Sequence, residues 1–158
     1  MAEKKEFKNR FSWSFSRDNA FNTCKRKYYY SYYGSWGGWN KDADDLSKKL
    51  YLLNKMSSLP MLAGTIVHDE VERTLKAVRY GRNADIVKSK ENVIKVFKQS
   101  WAQSKNKDWK DNPKWKTNLF EHFYNQKPTD EALLDIRDLM LNSIDGFFAS
   151  DSYRFIQT

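Results

Sequence analysis

MLAGTIVHDEVERTLKAVRYG, residues 61–81, is the stretch on which the fold turns. Val67, Val71, Leu75 and Val78 recur at spacings of four, four and three, the repeat of one face of an α-helix. Gly81 supplies a stop, and Pro60 sits at a break just before the segment. The same period continues toward the carboxyl end. A second helix is expected over Ala84 to Ser104, with Ile86, Val93, Val96, Phe97 and Trp101 as its apolar side. "TDEALLDIRDLMLNSIDGFF" reads as a third long helix, with Thr129 as cap and acids in its first turn.

Shorter segments fit the same pattern. "LSKKLYLLNKM" reads as an amphipathic helix with Leu46, Leu50 and Leu53 on one side, and "LFEHFYN" as a short one. "KNKDWKDNPKWKTN" is a polar linker or loop holding two tryptophans that look exposed. Only "SYRFIQT" has the composition of a strand, and no partner strand accompanies it. The fold class expected for the chain as given is therefore all-α. Residues 1–12 look like a flexible basic tail and residues 13–158 like one helical domain, or part of one.

Composition narrows the function classes. Hydrophobic residues make up 40% and aromatics 16% of 158 residues, which suits a packed domain rather than a disordered polymer. No apolar run approaches the ~20 residues of a membrane span, and the charged start has no secretory pattern, so a cytoplasmic protein is expected. One cysteine excludes an internal disulfide. The net charge of +8 is uneven: +5 over residues 1–30, +1 over 31–80, +6 over 81–118 and −4 over 119–158. Two basic blocks of this kind suit a polyanion, and equally a merely soluble surface.

"FNTCKRKYYYSYYGSWGGW", residues 21–39, concentrates cations and aromatic rings. Ser14 or Ser16 can cap a helix in which Phe21, Cys24, Tyr28 and Tyr32 form one stripe, ending near Gly34, Gly37 and Gly38. A packed tyrosine stripe with solvated lysines explains the pattern. So does a nucleic-acid surface, in which cations neutralise phosphates and rings stack on unpaired bases. Both can hold on opposite sides of one helix. The candidate contacts are Lys25, Arg26, Lys27 and Tyr29, which lie off the stripe, with Lys105, Lys107, Lys110, Lys114 and Lys116 from the second block.

His68 and Glu72, four residues apart, share a helix face and can share a divalent metal; a structural histidine explains His68 equally. His122, among aromatics, reads as a packing residue. A Cys24, His68 and His122 zinc site has no recognised ligand spacing behind it. No Gly-rich phosphate loop, GxSxG, HExxH or CxxC pattern is present. Glu6 and Lys8 form an isolated E-x-K that reads as chance.

"SFSRDNAFNTCKRKYYYSYYGSW" resembles the opening helix of the RecB-like branch of the PD-(D/E)XK nucleases, through Cys24, Arg26, Tyr28 and Tyr29. "LAGTIVHDEVERTL" resembles that branch's Gly-x-x-x-His element, as Gly64 and His68. The likeness covers roughly residues 11–80. It implies the helical portion of an α/β nuclease that hydrolyses DNA phosphodiesters with Mg²⁺ or Mn²⁺, in which the metal lowers the pKa of the attacking water. His68 would be a metal ligand. The family's aspartate and Glu-x-Lys have no counterpart here, so the chain alone is expected to be catalytically silent, without a cofactor, while still binding DNA. Some relatives hold an iron–sulfur cluster through four cysteines; only Cys24 matches, so no cluster is expected and Cys24 reads as a small buried hydrophobe. The alternative is a non-enzymatic helical adaptor or inhibitor, anchored on a protein partner by Trp36, Trp39, Trp109 and Trp115.

Overall fold

A computed structural model of the chain describes residues 8–156. Among them the fold is all-α, with no sheet and a single isolated bridge between Ser57 and Leu119. Glu6 of the E-x-K lies outside the described residues, as do Gln157 and Thr158. The helices are α1 (Phe15–Thr23), α2 (Lys25–Tyr29), α3 (Asp45–Asn54), α4 (Leu59–Arg79), α5 (Ile86–Lys105), α6 (Phe120–Phe123), α7 (Asp130–Ala149) and α8 (Asp151–Ile156). The chain divides into two compact units, residues 1–55 and 56–158, beside the one domain expected from residue 13 onward.

The second unit is built on α4, α5 and α7, each packed on the other two. Leu59, Leu62, Ala63 and Ile66 of α4, Val93 of α5, Met140 and Ile144 of α7, and Leu119 make its buried core. Burial of side chains at 3.6-residue spacing is what holds such helices, since propensity alone leaves them marginal. Each long helix opens on a side-chain cap. Ser58 accepts from the Met61 amide, Asp85 from Val87 and Lys88, and Thr129 from Ala132.

Three expectations for this unit are corrected. Pro60 does not break the chain before α4 but sits in its first turn, where its missing N–H costs nothing. The face of α4 turned inward carries Leu62, Ile66, Glu70 and Thr74, so Leu75 is exposed while Val67 and Val71 flank the core. "SYRFIQT" is helical through Ile156 rather than a strand start. A lone strand would leave its backbone groups unpaired. As a helix the segment satisfies them internally and packs Tyr153 against Phe147 and Phe148, with centroids 5.0 and 4.7 Å apart.

The first unit holds α1, α2 and α3. The expected continuous helix is broken at Cys24, whose extended backbone (φ −163°, ψ 108°) ends α1 and opens α2. Ser14 caps α1 by accepting from the Arg17 amide. After α2 the chain widens into a π-helical turn, Tyr30–Gly34. Asn54 at the end of α3 ties to that turn, its Nδ2 donating to the Ser31 carbonyl and to Ser35 Oγ at 2.8 Å each. Gly38 lies against α3 so closely that a Cβ there would stand 2.2 Å from the Ser47 carbonyl oxygen. Only glycine permits that approach. Leu46, assigned to the apolar side of α3, is exposed.

Candidate nucleic-acid interface

In the first unit α2 sorts its residues by side. Tyr28 is buried, at 8% exposure, and is the hub of a ring cluster with Trp13, Phe21, Tyr32 and Tyr33, at centroid distances of 5.2–6.1 Å. Its hydroxyl bonds that of Tyr33 at 3.4 Å, and this contact holds the Tyr28 phenol above its ordinary pKa. Lys25, Arg26 and Lys27 are exposed, as is Tyr29 at 57%. Tyr29 stacks on Tyr33, centroids 6.4 Å apart and planes 18° off parallel. A cationic and aromatic surface thus lies over a packed aromatic core. Arg17 extends it, its guanidinium carbon 4.4 Å from the centre of the Tyr32 ring.

Cys24 is neither buried nor a core residue. It is exposed, and its Sγ caps α2 by accepting from the Lys27 amide at 3.4 Å. That corrects the assignment of Cys24 as a small buried hydrophobe: the break between α1 and α2 turns the thiol to the helix end instead of the stripe.

His68 is 80% exposed on α4, with Nδ1 3.8 Å from Asp69 Oδ1. Glu72 turns to Lys76, at 2.6 Å, and this bond lowers its carboxyl pKa. Among the described residues no three of His, Cys, Asp and Glu converge in a way that could hold a metal ion. The donors among the described residues therefore do not fit the Mg²⁺ or Mn²⁺ that the nuclease likeness implies, and no hydrolytic step is assigned to them. Gly64 is likewise without local cause, since a Cβ there would meet nothing within 4 Å.

The carboxylate that α4 does use is Glu70, which hydrophobic spacing does not single out. It is 2% exposed and accepts from Arg73 Nε at 2.9 Å, from Arg73 Nη2, and from Asn92 Nδ2 of α5 at 2.7 Å. Burial pushes its pKa up, and hydrogen bonds from Arg73, Ser89 and Asn92 outweigh that and hold it below the ordinary range. An acid on the inner face of a helix that also carries a basic residue three positions on is the signal the sequence offers for it.

Of the second basic block, Lys105, Lys107 and Lys110 come together at a cleft of about 630 Å³ in the second unit, joined by Lys127. Lys114 and Lys116 are not among its lining residues; Lys114 lies 4.8 Å from the centre of the Trp115 ring. Trp115 is 72% exposed, as expected, but Trp109 is 6% exposed and packs on Phe123. Apolar contact outweighs the polar character of its flanking residues, so Trp109 cannot serve as an exposed anchor. His122 packs edge-on to Trp101, centroids 4.3 Å apart, and its Nδ1 lies 2.9 Å from Ser104 Oγ. Burial holds its pKa below the usual range, with Glu121 pulling it up and Lys105 pushing it down.

Comparison with protein-family models, with curated proteins and with solved structures finds no match to this chain. Among the described residues, no helix is long and apolar enough to cross a membrane.

Proposed function

We propose that the chain binds nucleic acid through its first unit, as the helical portion of a RecB-like nuclease would. The observation that carries this is the division of α2: Tyr28 is taken into the ring cluster, while Lys25, Arg26, Lys27 and Tyr29 stay exposed. Charge supports it. Residues 1–55 hold twelve Lys and Arg against six acids, a net +6, while residues 56–158 hold sixteen against fourteen, a net +2. Most of the +8 thus belongs to the unit that carries α2. Cations neutralise phosphates and displace counterions, and an accessible ring offers a stacking face to a base.

Labelled 20-mer DNA, single-stranded and duplex, titrated at 50, 100 and 200 mM salt tests the proposal by fluorescence anisotropy. With about six phosphate contacts, log K should fall against log salt with a slope of roughly −4 to −5. Lys25→Ala combined with Lys27→Ala should lower the slope by about 1.5 and weaken binding several-fold. Salt-independent binding, or none at 50 mM, overturns it.

A protein partner is the second reading, favoured by Trp36 and Trp39. The two are exposed, meet edge to face at 5.0 Å, and continue onto Tyr51 at 5.8 Å from Trp39. A stoichiometric protein retained after nuclease treatment, and lost on Trp36→Ala, would favour it over the nucleic acid.

A further inference from the structure

The cleft of the second unit has chemistry that oligonucleotide contacts on α2 do not explain. Its four lysines come from the end of α5, the turn after it and the loop before α7. None is in an ion pair among the described residues, which is also true of Arg79, Arg82, Lys95, Lys98, Lys114 and Lys116 of the same unit. Two acids also line the cleft, Glu121 and Asp130. Glu121 is engaged through Oε1, which accepts from the Leu59 amide at the start of α4 at 3.0 Å, while its Oε2 is buried without a hydrogen-bond partner among the described residues. Four cations against two acids leave the cleft with an excess of two positive charges, the complement of a phosphate monoester.

The walls differ from the rim. Trp101, Trp109, Phe123 and His122 supply aromatic surface, and Leu133 and Pro128 add apolar area. His122 adds a polar edge to this wall: Ser104 Oγ, which accepts from the Leu119 amide at 2.9 Å, also lies 2.9 Å from His122 Nδ1. The indole N–H of Trp109 is buried without an acceptor among the described residues. A volume of about 630 Å³ is that of a small-molecule site and too small to admit a duplex.

We propose that this cleft binds a nucleoside phosphate, with the base against the aromatic wall and the phosphate among Lys105, Lys107, Lys110 and Lys127. This proposal does not depend on the oligonucleotide contacts assigned to α2, nor they on it. Two sources can present this chemistry, a free nucleotide and the phosphorylated end of a strand.

The test is calorimetric titration of the full chain with ADP, inorganic pyrophosphate and ribose 5-phosphate at 50 mM salt. ADP should bind with a dissociation constant on the order of 10–100 μM. Pyrophosphate and ribose 5-phosphate, lacking the base, should be at least about fivefold weaker. Lys105→Ala combined with Lys127→Ala changes only exposed side chains, so the fold should persist by circular dichroism, and ADP affinity should drop about tenfold. The Lys25→Ala, Lys27→Ala chain should bind ADP unchanged. No binding of ADP at millimolar concentration, equal binding of pyrophosphate or ribose 5-phosphate, or an unaltered affinity in the Lys105, Lys127 variant would each overturn the site, while leaving the DNA titration to judge α2 separately. A 5′-phosphorylated 10-mer that displaces ADP supports the site with a strand end as its source. Failure to displace it supports a free nucleotide.

Discussion

Glu70 shows how one residue can hold two helices. Its carboxylate is buried on α4, gathers both Arg73 donors and reaches Asn92 on α5. Removing one member of a buried pair costs about 3–5 kcal/mol when the other stays buried, but Arg73 is 57% exposed and can be rehydrated. Glu70→Gln is therefore expected to cost about 1–2 kcal/mol at pH 7, read from the urea midpoint. The pH dependence has a definite sign. The folded carboxyl titrates below its ordinary value, so its stabilisation is complete at neutral pH and is lost as pH falls through the folded value, beginning under about pH 4. The difference between wild type and Glu70→Gln should shrink as pH falls below about 4; a constant difference would contradict this role.

Glycines separate the elements that tolerate a side chain from those that do not. Gly64 lies in the exposed interior of α4, where a Cβ meets nothing. Gly64→Ala should stabilise by about 0.5–1 kcal/mol, because alanine loses less backbone entropy on entering a helix. Gly81 also faces open space but follows α4 with φ +69°, a conformation that L side chains resist. Gly81→Ala should therefore destabilise by about 1 kcal/mol despite the room around it. Thermal melts of the two variants should move in opposite directions, and a shared direction would refute the assignment of α4's end. At the same scale, Asp85→Ala removes the acceptor of the Val87 and Lys88 amides and should cost about 1 kcal/mol, measured as a lower melting temperature.

At the scale of the whole chain, the second unit rests on one cluster and the first on a ring network. Met140 and Ile144 of α7 are fully buried between α4 and α5. Met140→Ala should cost about 3 kcal/mol, a large share of the roughly 5–15 kcal/mol typical of a domain. Urea unfolding followed by far-ultraviolet circular dichroism reads this, and a loss under about 1 kcal/mol would mean that the helices repack around the gap. Charge is also organised at this scale. Lys88 and Lys90, part of the most basic block of the sequence, are paired with Asp85 and Asp145. Asp85 is already counted in the net +6 of residues 81–118, so it is the Lys90 pair with Asp145 that makes the effective positive surface smaller than that block suggests.

The long helices α4, α5 and α7 were legible in the sequence, because hydrophobic spacing and cap residues act within a few positions of one another. Thr129 opens α7, Gly81 follows the end of α4, and Ile86 to Trp101 line α5 as their period requires. What depends on neighbours far along the chain was not legible. Cys24 interrupts a helix whose period runs through it, Trp109 is buried in a polar stretch, and Glu70 rather than Glu72 is the carboxylate that α4 turns inward. The convergence of Lys105, Lys107, Lys110 and Lys127 on one cleft belongs to the same class. Periodicity reports which side of a helix is apolar on average; tertiary packing alone decides which polar groups come to share a pocket, because that depends on contacts between residues distant in the chain.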